Sequence, residues 1–587
     1  MEKAKFTANI NGGDGITPND KLTFRIYGGL DGFKRPIKVT GTSTNDSDVS
    51  ITADVVEIDN IKIGVETLFK IASVDEARNE SIISDVLEFT YIQPFIIEVD
   101  TSNGGGSGIN QFEFTGAVGD YDVIANKDNV EVDVFKDLSG QATITLPEPG
   151  VYELKVLPKP TNSFSRIRFS DGGDKLKLTD IKQWGGTIWS SFDRAFFGCS
   201  NFKGSFIDSP NLTNVNSFRF AFREATLFNQ PINNWDTSNV TNMERVFGNA
   251  TSFNQRLDNW DVSNVTITRN MFAGAVSFNQ NINSWDVGKV RDVSAMFNNA
   301  VMFNQPLDNW DVSSVVLMTA MFSGATSFNQ PLNSWDTSSV TTMLNMFITA
   351  TSFNQPLNNW DVSSVTNFSF MFRETKAFNQ PLYNWDTSSV TNMTQMFLGN
   401  PVFNQNINSW DVSSVTDFSF MFNASFLTEP AKFNKPLNNW DMSSALTINN
   451  MFSQSNCIFN QDISEWNTSN ITDMQGAFFA NSRFNQDIST WDTSSVTNTS
   501  FLFNLASSFN RDLSNWDVSN VTTMEFMFDG SSLSAENLTL IYENWSLLTL
   551  QENVIFGAEG IKYNSSGQTG KDIMLNTYNW IITDGGL

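Results

Sequence analysis

Phe353-Asn-Gln-Pro-Leu-Asn-Asn-Trp360-Asp-Val-Ser-Ser-Val-Thr-Asn-Phe-Ser-Phe-Met-Phe372-Arg-Glu-Thr-Lys-Ala377 is one unit of a pattern that repeats every 25 residues. Its tryptophan recurs at Trp235, Trp260, Trp285, Trp310, Trp335, Trp360, Trp385 and Trp410. After insertions of five residues and of one, the series resumes at Trp440, Trp466, Trp491 and Trp516. A unit this short cannot bury its apolar face alone. Each is therefore expected to form one coil of a solenoid, packed between the coils before and after it. About 12–14 coils at a strand spacing of ~4.8 Å would make an array roughly 60 Å long.

Within the unit, Phe353, Leu357 and Trp360 are expected to be the inward side chains of a short strand. Val362, Val365, Met371 and Phe372 then close the coil through a loop and a one-turn helix. Large aromatics bury about 150–250 Å² each, so these columns should dominate the interior. The alternative, a row of sugar-stacking platforms, fits less well with tryptophans that keep constant phase with the other apolar positions.

Two polar columns also keep phase. Asn229, Asn254 and their counterparts up to Asn510 follow the phenylalanine in every copy, which suits an amide ladder bonding each side chain to its neighbour one coil away and to the turning backbone. An aspartate follows the tryptophan in eleven of twelve copies, from Asp236 and Asp261 to Asp517. It can accept N–H bonds from the Ser-Ser-Val turn behind it. A calcium-binding carboxylate ladder is the competing reading. Asn467 stands in the remaining copy, the tenth. An amide keeps the acceptor and discards the charge, which favours the turn.

Ahead of the regular units, Ala195-Phe-Phe-Gly-Cys199-Ser-Asn-Phe202 has the pattern A-F-x-x-C-x-x-F. This segment resembles the BspA-like leucine-rich-repeat surface proteins. The later copies resemble that family's variant with W-D-x-S-S-V-T-N-M-x-x-M-F. The likeness covers roughly residues 165–530 and implies a mainly β fold, a right-handed leucine-rich-repeat-type solenoid. It also implies a surface-exposed or secreted protein linked to adhesion.

The flanks are expected to be separate domains. Residues 1–95 alternate apolar runs with Gly, Asp, Asn and Pro turns, as an immunoglobulin-like β-sandwich does. Residues 96–159 hold a flexible stretch, Ser102–Gly108, and end in Pro147-Glu-Pro-Gly-Val-Tyr-Glu-Leu-Lys-Val156, which resembles the last strand of a PKD-like domain. A leading cap with degenerate repeats is expected over 160–225 and the solenoid of twelve repeats over 226–530. A C-terminal cap over 531–587 should begin with a helix N-capped by Ser534.

Charge narrows the function. Asp and Glu outnumber Lys and Arg by 63 to 36, a net charge of −27, so neither a nucleic-acid backbone nor an anionic membrane is an expected partner. The chain has no histidine, which removes the commonest general base and metal ligand. Cys199 and Cys457 would lie roughly 50 Å apart at ~4.8 Å per coil, too far to bridge. No apolar run reaches the length of a membrane span.

No catalytic residue, metal site or cofactor is expected. Tyr383, the one aromatic among the residues just before the tryptophans, is a candidate ligand contact. So are Phe426 and Glu429, in the five-residue insertion that breaks the regular surface. The expected function is non-enzymatic adhesion or receptor binding, as a fibre or decoration component of a bacteriophage virion contacting a host-cell receptor or glycan. Its N-terminal domains would attach to other virion proteins, with a homo-oligomer as one arrangement. The virion is favoured because no export signal follows Met1. A bacterial cell-surface or secreted adhesin is the alternative, and a glycan-processing enzyme the remote one.

Overall fold

The computed structural model describes residues 93–160 and 162–587, together with the backbone of six strands before residue 90. Those strands form two sheets. β1 (Lys3–Ile10) pairs antiparallel with β4 (Val49–Glu57). β2 (Thr23–Gly28) lies between β3 (Val39–Thr40) and β5 (Thr67–Val74), with β6 (Leu87–Phe89) on the far side of β5. The packing of these sheets into the expected sandwich lies outside the described residues.

The next unit is a five-stranded antiparallel sheet. Its order is β10 (Val130–Ser139), β9 (Asp120–Lys127), β12 (Val151–Pro158), β7 (Phe95–Asp100), β13 (Leu178–Gln183). A small ladder of β8 (Gln111–Glu113) with β11 (Thr143–Thr145) accompanies it. Alternate residues point inward, as a half-buried strand requires: Phe95, Ile97 and Val99 on β7 meet Tyr152, Leu154 and Val156 on β12, all buried. β13 lies beyond residue 159, so the sheet reaches into the segment leading to the repeats and shares a hydrogen-bonded edge with it.

Ser102–Gly108 is not the flexible stretch expected from its glycines. Asp174 and Lys177 form an ion pair at 3.3 Å with side chains at most 1% exposed. Asp174 accepts the N–H groups of Ser107 (2.9 Å) and Glu113 (2.7 Å). Lys177 donates to the carbonyls of Gly108 (2.8 Å) and Gln111 (2.9 Å). A buried charge pair is tolerable only when its other hydrogen-bonding capacity is filled, and the loop backbone fills it.

From Ser217 onward the chain is a long region of periodic aromatic repeats. One parallel bridge joins each repeat to the next, in a series running Ser217, Asn242, Ile267, Asp292 and on to Thr523. The expected short strand and one-turn helix are absent: each unit is built of turns with that single bridge. The cause is visible around Met371. Phe370 and Glu374 adopt left-handed backbone, φ +61° and +54°, which a right-handed helix cannot contain. The N–H groups of Phe368, Phe370, Phe372 and Glu374 donate to the next unit, to the carbonyls of Asn392, Thr394, Met396 and Leu398 at 2.8–3.0 Å. Hydrogen bonds that a helix would close within the unit instead tie one unit to its successor.

The apolar columns are the core. Phe353, Leu357, Trp360, Val362, Val365, Met371 and Phe372 are all buried. Their rings stack on those of neighbouring units: Phe353 to Phe378 at 6.0 Å and Trp335 to Trp360 at 6.2 Å with planes 3° apart. Phe372 packs on Phe378 at 4.0 Å.

After the last unit, α1 (Ala535–Trp545) starts at Ser534, whose Oγ accepts the Asn537 N–H at 3.2 Å. β14 (Ile555–Gly557) pairs parallel with β15 (Ile581–Thr583), and α2 (Gln568–Thr577) lies between them in sequence.

Candidate functional site

Residues that recur in every unit bond to one another. Each tryptophan from Trp260 on donates its Nε1–H to the Leu or Ile carbonyl of the preceding unit, as Trp360 does to Leu332 at 2.9 Å. With at most 3% of each repeat tryptophan exposed, no ring face is open to a sugar. Trp235, first of the series, finds no partner for its Nε1.

The asparagine column forms a ladder from unit to unit, with the backbone as the expected partner and a glutamine as a further one. Asn354 Oδ1 accepts the backbone N–H of Asn379 at 3.0 Å and the Nε2 of Gln380 at 3.0 Å. The rungs are thus backbone and glutamine donors, because the column's own N–H groups would otherwise be left without acceptors. Asn354→Ala strands the Asn379 N–H at a half-buried site, while Gln380 Nε2 keeps the Asn354 carbonyl at 3.1 Å, and is expected to cost about 1–3 kcal/mol, measured by urea denaturation. A change below the error of that measurement would show that the column is not structural.

The aspartates cap turns. Asp361 Oδ1 accepts the N–H of Ser363 at 3.0 Å, and Asn467 Oδ1 accepts that of Ser469 at 3.2 Å in the tenth copy. At Asp236, Asp336, Asp386 and Asp492 the serine hydroxyl, then the serine N–H, holds the carboxyl below the ordinary aspartate range. A lowered folded pKa adds stability that is present above the unfolded value of about 3.9 and is lost as pH falls through the folded value. Thermal stability is therefore expected to hold from neutrality to about pH 4 and to decline below it. Asp336→Asn with Asp386→Asn should make that decline shallower while leaving the melting temperature at pH 7 nearly unchanged. An unaltered acid limb would remove these turns as its source.

Among the described residues no group of carboxylates and thiols is placed to hold a metal ion, and no helix is long and apolar enough to cross a membrane. Cys199 and Cys457 are free and buried. Burial pushes the Cys199 thiol well up and that of Cys457 up to about 12, so neither is a ready nucleophile.

The three expected contact residues are at the surface. Tyr383 is 57% exposed and Phe426 69% exposed; Glu429 is exposed as well. Among the described residues no hydrogen bond, ion pair or ring contact joins them. Phe426 lies over the Arg373 guanidinium at 6.0 Å. Its insertion is tied down by Ala431 N–H to the Asn456 carbonyl, and by Asn456 Nδ2 to that of Leu427, each at 2.8 Å. The polar face before the tryptophans is partly self-bonded: Asn233, Asn333 and Asn358 each accept an N–H from the next unit at 3.0–3.1 Å.

A different cluster was not singled out in sequence. Four arginines surround the Phe220 ring: Arg219 at 4.8 Å, Arg194 at 5.3 Å, Arg223 at 5.4 Å and Arg245 at 5.6 Å. The signal was available. Nine of the fifteen arginines lie between residues 166 and 291, and Arg194, Arg219 and Arg269 fall in one 25-residue phase.

Buried aromatic columns, single bridges and side-chain caps recurring every 25 residues define a repeat protein. Residues 190–305, 281–382, 356–457 and 425–545 each match the family described as Mycoplasma protein of unknown function, DUF285. Together these matches span residues 190–545, and the chain belongs to that family, which is related to BspA-like repeats. No curated protein and no solved structure matches the chain.

Proposed function

We propose that this chain is a non-enzymatic, surface-displayed adhesion or receptor-binding protein, its repeats forming a right-handed solenoid of the BspA-like leucine-rich-repeat type. One observation carries the reading. The side chains that recur in every unit are buried, bonded to neighbouring units or engaged in a turn of their own unit, so the array is a scaffold whose other exposed positions are free to differ. Parallel bridges advancing one unit at a time support the solenoid, because a chain paired only with its predecessor and successor extends in one direction. A helix-rich far-ultraviolet circular dichroism spectrum would refute it.

Two surfaces suit such a protein. As a virion fibre or decoration component it would attach through its N-terminal domains and present the repeats to a host receptor or glycan. The matched family's description as a Mycoplasma protein favours a second placement, the envelope of a bacterial cell. Immunogold labelling of purified virus particles and of cells from the source culture decides between them. Gold on neither would sink the displayed-protein reading. Release of sugar from cell-surface glycans by the purified chain would replace binding with catalysis.

A further inference from the structure

The arginine cluster at Phe220 stands out against the charge of the whole molecule. Phe220 itself is buried with φ +58°, and its ring holds the surrounding guanidiniums by cation–π attraction. Three carboxylates face these four cations. Arg219 pairs with Glu244 at 3.1 Å and reaches Asp193 at 3.9 Å, and Arg223 pairs with Glu224 at 2.9 Å. Asp193 is shared with Arg168 at 3.2 Å. Arg194 and Arg245 make no ion pair among the described residues. A chain of net charge −27 thus keeps a local excess of positive charge at one end of its repeats.

Beside the cluster is a recess of about 220 Å³, lined by Arg223, Arg245, Asn249, Asn270, Asn298 and Asn299. Its lining also includes Gly274, at φ +71°, where an added Cβ would stand 2.1 Å from Asn249 Oδ1. The side-chain amides of Asn249 and Asn270 make no hydrogen bond to the protein among the described residues. Two arginines, Arg245 without an ion pair among the described residues and Arg223 paired with Glu224, therefore border one small cavity together with free amides.

We propose that this recess binds the acidic group of a sugar, a carboxylate or sulfate carried on a pyranose ring. The arginine fork matches a planar or tetrahedral oxyanion with paired N–H bonds. Asparagine amides both donate to and accept from hydroxyl groups, which a bare inorganic anion lacks. A volume below the ~300–1,000 Å³ of sites for larger ligands admits one terminal residue and not an extended chain. A long polyanion would also meet the repulsion of the acidic remainder. The inference rests on the reading of the chain as a glycan-contacting surface protein and names the sugar class.

The full chain should be titrated calorimetrically with N-acetylneuraminic acid, galactose 6-sulfate, galactose and sodium sulfate, at low and at physiological salt. Binding of an acidic sugar, absent for galactose and weakened by salt, is expected. The two acids separate carboxylate from sulfate as the preferred group. Arg245→Gln, whose side chain has no ion-pair partner to strand, should weaken binding at least roughly tenfold. Gly274→Ala should weaken it by crowding Asn249, and circular dichroism of both variants checks that the fold persists. Sodium sulfate binding as tightly as the sulfated sugar would reduce the site to a general anion site and overturn the proposal. Equal binding of galactose, undiminished binding by Arg245→Gln, or no binding of either acid would also overturn it. Cell adhesion persisting without acid-sugar binding would fail the recess alone. Sugar binding with no gold on particles or cells would fail the display reading alone.

Discussion

A Trp360→Ala chain is expected to lose about 3–5 kcal/mol, the cost of deleting a large aromatic from a close-packed core. Trp360 is buried and packs on the preceding unit, 6.2 Å from Trp335 and 6.3 Å from Phe347. Its removal leaves a void and also strands the Leu332 carbonyl, which accepts the indole N–H. Because each unit touches only its neighbours, the damage should be local. Hydrogen exchange should lose protection most around residues 328–377, with distant units near normal. Trp360→Phe separates the two contributions: it keeps most of the ring and loses the donor, for about 1–3 kcal/mol. Trp235→Phe should cost less, since the Trp235 Nε1 has no partner to forfeit. Unchanged protection in Trp360→Ala would mean that the tryptophan column is not the core.

That core was legible because it depends on composition in a fixed phase. Phe353, Leu357, Trp360 and Phe372 recur at constant spacing, and constant spacing in a repeat is a packing constraint. The backbone between them was not legible. Met371-Phe372 reads as helix, yet the position before it is left-handed in many units whatever its side chain, with Ala320, Asn345, Phe370 and Gln395 all at positive φ. No residue preference announces a conformation imposed by hydrogen bonds to the next unit. The asparagine ladder and its bonding to the backbone were foreseen, but the glutamine donors that share its oxygens were not. The exposed candidates Tyr383 and Phe426 were found by departure from the repeat. The same criterion applied to charge would have found Arg223 and Arg245.

Removing residues 531–587 is expected to have the other large effect, turning a chain with a closed end into one that associates or frays. The last unit depends on that segment. Met524 and Phe528 donate their N–H groups to the carbonyls of Ile555 and Gly557 at 3.1 and 2.9 Å. Asn510 Oδ1 accepts from Ser534 N–H at 2.9 Å. Trp545, on α1, donates to the Leu513 carbonyl at 3.1 Å, the bond that the next tryptophan of the series would make. The cap thus satisfies the array by imitating one more unit and then ending it. Without it, donors and rings at the terminal unit are left as a template for another chain. Burial of Trp545 alone contributes about 3–5 kcal/mol by the same core argument. Light scattering after gel filtration should show a mass above that of one chain, or the thermal transition should broaden and fall. A point variant isolates the contact. A Cβ at Gly557 would lie 2.4 Å from the backbone of Phe526, which cannot move aside as a side-chain tip can. Gly557→Val should therefore lift β14 from the last unit and reproduce the effect of truncation. A truncated chain that stays monomeric and melts at the full-length temperature would show that the repeats end without need of a cap.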